Sequence, residues 1–92
     1  MNQDELVQRG TAAQEVLRNP TFTAVTKELL DHYVSTILST APNDEKTRSS
    51  AYYQCRALQD LIAVLQQWET VKEQIISSQN DQDDLFKSDE EN

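Results

Sequence analysis

Glycine, cysteine and proline are nearly missing from this chain of 92 residues, which has one Gly, one Cys and two Pro. A multi-stranded sheet needs turn and bulge residues at short intervals, and Gly10, Pro20 and Pro42 do not supply them. The composition therefore reads all-α. A lone cysteine, Cys55, excludes an intrachain disulfide and suits a reducing compartment; with no paired base beside it, it reads as a small buried apolar residue. Apolar residues are scarce as well, at 37% against roughly 45–50% in typical globular domains, so a large enclosed active site is not expected.

Basic residues are few. Eight Lys and Arg stand against 16 Asp and Glu, giving a net charge of −8. No cluster of Lys and Arg is present to displace counterions from phosphates or to meet an anionic bilayer, so direct nucleic-acid binding and membrane binding are not expected. The acidity is uneven: Asp81, Asp83, Asp84, Asp89, Glu90 and Glu91 crowd the end of the chain against Lys87, leaving the body nearly neutral. The N-terminal run Met1-Asn2-Gln3-Asp4-Glu5 lacks the basic and apolar segments of a secretory leader. With no stretch long enough to span a membrane, a soluble cytoplasmic chain is expected.

Three helices are predicted. Asn2 followed by Glu5 is a capping pattern, and Leu6, Gly10, Ala13 and Leu17 then recur at helical spacing, with Val7 and Val16 widening the stripe. Gly10 either weakens this helix or permits close packing. Arg18-Asn19-Pro20 interrupts it, because the residue before proline is pushed from the helical region while Asn19 can cap a second helix beginning at Pro20. The second helix extends to about Ser39, with Phe22, Val25, Leu29, Tyr33 and Ile37 on its expected inner face and Leu30, Val34 and Leu38 beside them. After Thr40-Ala41-Pro42-Asn43, Asp44 and Glu45 open a third helix reaching about Gln79. Positions 51, 55, 58, 62 and 65 form a heptad seam. That register then meets Glu69 and Lys72, so the seam is expected to drift onto the neighbouring face that carries Leu61, Trp68 and Ile75.

Residues 2 to 39 and 43 to 79 are spans of nearly equal length, each roughly 55 Å if helical throughout. They predict a long antiparallel hairpin kinked at Asn19, with a compact three-helix bundle as the competing architecture. The helical domain is placed at residues 1–79 and a disordered acidic tail at 80–92, where dense like charges leave no helical stripe. A two-helix layer leaves apolar stripe uncovered, so self-association or a partner surface is expected.

Little in the sequence points to catalysis. His32 is the only histidine, and Glu28 four residues before it with Asp31 adjacent reads as a helix-surface contact rather than a metal site. Arg56 and Asp60 have the spacing of a surface ion pair. No partnered nucleophile, phosphate loop or zinc spacing is visible, so no enzymatic activity, cofactor or metal is expected. Trp68 and Tyr53 are the body's candidates for partner contact, with Tyr52 beside the seam; core packing is the expected role of two of these three aromatics.

Two resemblances add to this. Ala13 to Phe22, then Ser39-Thr40-Ala41-Pro42, then Arg56-Ala57-Leu58-Gln59-Asp60-Leu61 resemble segments of short helical proteins of tailed bacteriophages, often encoded among head and tail assembly genes. That resemblance implies an accessory role in virion assembly, a phage structural protein as partner, and a place in the host cytoplasm or on the virion. In the tail, Gln82-Asp83-Asp84-Leu85-Phe86 resembles the peptide with which bacterial replication proteins dock on the sliding clamp. It implies that Leu85 and Phe86 fill an apolar pocket, that Gln82 fixes register by hydrogen bonds, and that Asp84 stands at a variable position between them.

Overall fold

A computed structural model of the chain, in which the backbone is described for residues 1–91 and the side chains for residues 1–81, is all-α, with α1 (Gln3–Arg18), α2 (Pro20–Ser39) and α3 (Glu45–Glu91). Each boundary has a local cause. The Asn2 side chain accepts a hydrogen bond of 2.8 Å from the Glu5 N–H and starts α1. Asn19 is extended, at φ −69° and ψ 121°, and its side chain accepts from the N–H groups of Thr21 and Phe22 at 2.9 and 3.0 Å. Its own N–H donates to the Val16 carbonyl at 3.2 Å, so one residue closes α1 and opens α2. At the hairpin turn the Asp44 N–H donates to the Ala41 carbonyl at 2.9 Å, and Asp44 Oδ1 accepts from the Thr47 N–H at 3.3 Å. The Arg48 guanidinium reaches back to the Ala41 and Pro42 carbonyls, at 3.3 Å each.

α1 and α2 lie one after the other along α3 and scarcely touch each other. α2 runs beside the first part of α3, where His32, Tyr33 and Thr36 share a shallow groove with Lys46, Ser50, Ala51 and Gln54. α1, beyond the Asn19 corner, lies against Trp68 to Glu73. The molecule is only 23 Å across in both minor directions, about two helix diameters. This is the kinked hairpin, and the compact bundle is not formed because α1 never folds back against α2.

Two sequence expectations about the packing face are corrected. The seam of α3 keeps its register and widens rather than leaving it: Arg48, Ala51, Cys55, Leu58, Ile62, Leu65, Glu69, Lys72 and Ile76 are all buried or half-buried and alternate in steps of three and four, while Trp68, Val71 and Ile75 on the expected neighbouring face are half-buried too and Leu61 is exposed. Glu69 and Lys72 hold the register in spite of their charge. On α2 the inner face is rotated. Thr26 is buried while Val25 is 48% exposed and Leu29 is exposed too, so the inward positions are Phe22, Thr26, Leu30, Tyr33 and Ile37. The small Thr26 lets the backbones approach, and its hydroxyl donates to the Phe22 carbonyl, 2.9 Å away, with the Thr23 carbonyl also in reach at 3.0 Å. Burying it therefore leaves no polar atom unpartnered.

The core is thin. Its buried members are Gly10, Ala13, Thr26, Ala51 and Cys55, and none of the large side chains is fully buried. Cys55 lies in the core as expected. Gly10 resolves in favour of close packing: a Cβ built on it would fall 2.3 Å from Lys72 Cβ and 2.8 Å from the Trp68 carbonyl oxygen. Helical conformation continues through Asn80 and Asp81, past the expected end near Gln79. In the remainder of the expected disordered tail, the side chains of residues 82–91 and the whole of Asn92 lie outside what the structure describes.

Two stability changes follow from this packing. Gly10→Ala, which in an exposed helix would stabilise by about 1 kcal/mol through propensity, should instead destabilise by about 1–3 kcal/mol, because backbone and a Cβ must move apart. Leu58 is only half-buried on the seam, so Leu58→Ala should cost about 2 kcal/mol, the low end of large-to-small changes. Urea unfolding followed by circular dichroism measures both.

Candidate functional site

The most organised polar cluster joins α1 to α3. Gln14 Nε2 donates to Glu73 Oε1 at 2.8 Å and to Glu69 Oε1 at 3.3 Å, while Lys72 Nζ donates to Gln14 Oε1 at 2.7 Å. One amide thus answers two carboxylates with its N–H groups and an ammonium with its oxygen, which is how Glu69 and Lys72 remain in the seam. Its role is to set the register between helices, as polar seam residues do in coiled coils. Sequence reasoning passed over Gln14; the usable signal was that Glu69 and Lys72 fall on the heptad positions.

Trp68 is half-buried. The Arg9 guanidinium lies over its ring, 3.6 Å from the centroid, a cation–π contact that also covers much of the indole. Arg9 Nε is buried without a hydrogen-bond partner, and its Nη1 approaches Met1 Sδ at 3.5 Å. Leu6, Gln67 and Val71 complete a shallow depression of about 240 Å³ around this pair. Trp and Arg are the residue types that most often anchor protein interfaces.

The tyrosines do not behave as expected. Tyr53 is 69% exposed and Tyr52 is also exposed, their rings meeting edge to face with centroids 5.7 Å apart. Two of the three aromatics are therefore outside the core, because the seam passes through Ala51 and Cys55 and turns both tyrosines away. Tyr53 points outward, away from α2. Trp68 and Tyr53 consequently belong to separate patches rather than one site.

The candidates for chemistry remain apart. His32 is exposed, its ring 5.7 Å from that of Tyr33, and the expected Glu28 contact is not made. Among the described residues the single ion pair is Arg56 with Asp60, at 4.0 Å on the surface, an interaction of small energetic weight. Also among the described residues, no three His, Cys, Asp or Glu side chains gather as metal ligands would, and no helix is long and apolar enough to cross a membrane. The side chains of Gln82, Asp84, Leu85 and Phe86, the expected clamp-docking residues, lie outside what the structure describes.

Several large apolar side chains stand on the exterior. Val16, Val25, Leu29, Val34, Leu38, Leu61 and Val64 are all exposed, Leu38 by 80%. They are the flanks of stripes whose centres pack between the helices.

The single Trp gives a direct test of the Arg9 contact. Arg9→Ala should uncover the indole and move its emission to longer wavelength, with a loss of about 0.5–2 kcal/mol of stability. Gln14→Ala should cost about 1–3 kcal/mol by leaving the half-buried Lys72 ammonium without its acceptor. Compared with models of known protein families, with curated proteins and with solved structures, the chain matches none.

Proposed function

We propose that the protein is a non-enzymatic helical interaction module that serves as an accessory assembly protein of a tailed phage, acting in virion morphogenesis. The observation that carries this reading is the slender hairpin whose apolar flanks are open to solvent along much of its length. Such a body has broad surface to offer another protein and shallow grooves in place of an enclosed pocket. Its place is the host cytoplasm or the assembling particle. The partners that fit are proteins, either a phage structural protein or a second copy of the chain.

A second reading rests on the tail. Gln82-Asp83-Asp84-Leu85-Phe86 supports a small adaptor or inhibitor that docks on the bacterial sliding clamp, with Phe86 as anchor and the acids around it as solvated bystanders. The two readings use different parts of the chain.

Disrupting the coding sequence in the phage genome should cut the yield of complete particles and leave unjoined or aberrant heads and tails in electron micrographs. Normal particles formed after delayed DNA synthesis would instead support the clamp reading. For that reading, a peptide of residues 80–92 should bind a bacterial clamp in a fluorescence polarisation titration, and Phe86→Ala should abolish binding. Changing Asp89, Glu90 and Glu91 to their amides should have little effect, because exposed charges act weakly and are screened by salt. Removing residues 80–92 should leave partner binding by the hairpin body intact.

A further inference from the structure

α3 carries a second seam that Arg9 covers at Trp68 and that is half-buried at Val71 and Ile75, but that lies open at Ala57, Leu61 and Val64. Ala57, Leu61, Val64, Trp68, Val71 and Ile75 alternate in steps of four and three, and each stands one residue before a member of the seam that faces α1 and α2. The second seam is therefore turned from the first by one helical step, about 100°. Leu61 is 51% exposed and Val64 is 43% exposed, although a heptad spacing of this kind is what a facing helix requires.

Two contacts fix which parts of α1 and α2 border this seam. Arg9 stacks on Trp68, so one heptad further along each antiparallel helix Val16 stands beside Leu61. His32 and Thr36 share a groove with Ser50 and Gln54, so one heptad away Val25 and Leu29 stand beside Ala57 and Leu61. Val16, Val25, Leu29, Leu61 and Val64, all exposed, thus form one patch midway along the hairpin.

We propose that this patch is a homodimer interface, in which α3 of one chain packs antiparallel on α3 of a second copy about a two-fold axis between Leu61 and Val64. Charge selects the occupant. The seam positions from Thr47 through Ile75 hold no Asp, Glu, Lys or Arg, in a chain that is 26% charged and carries −8. Arg9 reaches this seam at Trp68, and the open part from Ala57 to Val64 is uncharged; two acidic chains can meet closely there, where a strongly charged partner would find no counter-ions. By contrast, the flank one residue after the inner seam carries Arg56 and Glu73.

Shape agrees with charge. With the axis between Leu61 and Val64, Leu61 meets the partner's Val64, the small Ala57 leaves room for the partner's Trp68 with Arg9 stacked on it, and the same contacts recur by symmetry as an isologous interface requires. Area is sufficient. The five exposed side chains offer on the order of 400 Å² of apolar surface per copy. Two such faces at about 65% apolar content make an interface of about 1,200 Å², the lower bound for a stable complex.

This deepens the interaction-module reading by naming one partner, and it depends on that reading only in assigning a binding surface to the hairpin body. Sedimentation equilibrium of the full chain across the micromolar range should give the mass of two chains. Leu61→Lys and, separately, Val64→Lys should weaken self-association by about thirtyfold or more while keeping wild-type helicity by circular dichroism, since both side chains are already half in water. Leu38→Lys, one residue past the inner seam of α2 and so on the opposite flank, should leave the dimer unchanged. A wild-type chain that stays monomeric across the range would overturn the proposal. So would a dimer that survives both lysine substitutions, or one that Leu38→Lys dissociates. None of these results bears on particle assembly or clamp binding, so the dimer and the functional readings fail separately.

Discussion

The approach of α1 to α3 at Gly10 is the constraint on which the rest of the hairpin depends. With no side chain at that position, the α1 backbone comes close enough to rest on Lys72 Cβ and the Trp68 carbonyl. That distance brings Gln14 within reach of Glu69, Lys72 and Glu73. It also lays the Arg9 guanidinium on the Trp68 ring. Larger separation would break the three-way hydrogen bonding and leave a half-buried lysine and glutamate unpaired, which is costlier than never placing them there. The polar cluster and the close contact therefore support each other, and together they hold the half of α3 farthest from the hairpin turn.

At the other end the joint is made differently. α2 meets α3 through Thr26, Ala51 and Cys55 among half-buried larger residues, and Arg48 ties the turn by binding the Ala41 and Pro42 carbonyls. Neither half buries a large side chain completely. A two-helix layer has only one contact line per helix, so every apolar stripe wider than that line spills onto a flank. The exposed leucines and valines follow from this geometry.

The chemistry-bearing residues are dispersed by the same geometry. His32, Tyr52 and Tyr53 sit on outward faces, Cys55 sits alone in the seam, and Glu69 and Glu73 are taken up by Gln14.

The helices and their ends were legible in the sequence because their causes are local. Asn2 and Asn19 cap through bonds to residues two or three ahead, and Pro20 acts on its immediate neighbour. Equal spans on either side of the Thr40–Asn43 break made the hairpin a fair expectation from length alone. The facing surfaces were not legible, because α2 is apolar on several sides and its pattern does not choose between Val25 and Thr26; the close fit of two backbones does, and it selects the smaller residue. Hydrophobicity likewise predicted that the α3 seam would desert Glu69 and Lys72, since their partner, Gln14, is more than fifty residues away in the chain. Sequence by itself determined where helices begin and end. Which face turns inward, and which apolar residues remain outside, was decided only when α1, α2 and α3 met, because the energies involved are those of contact between segments far apart in the chain.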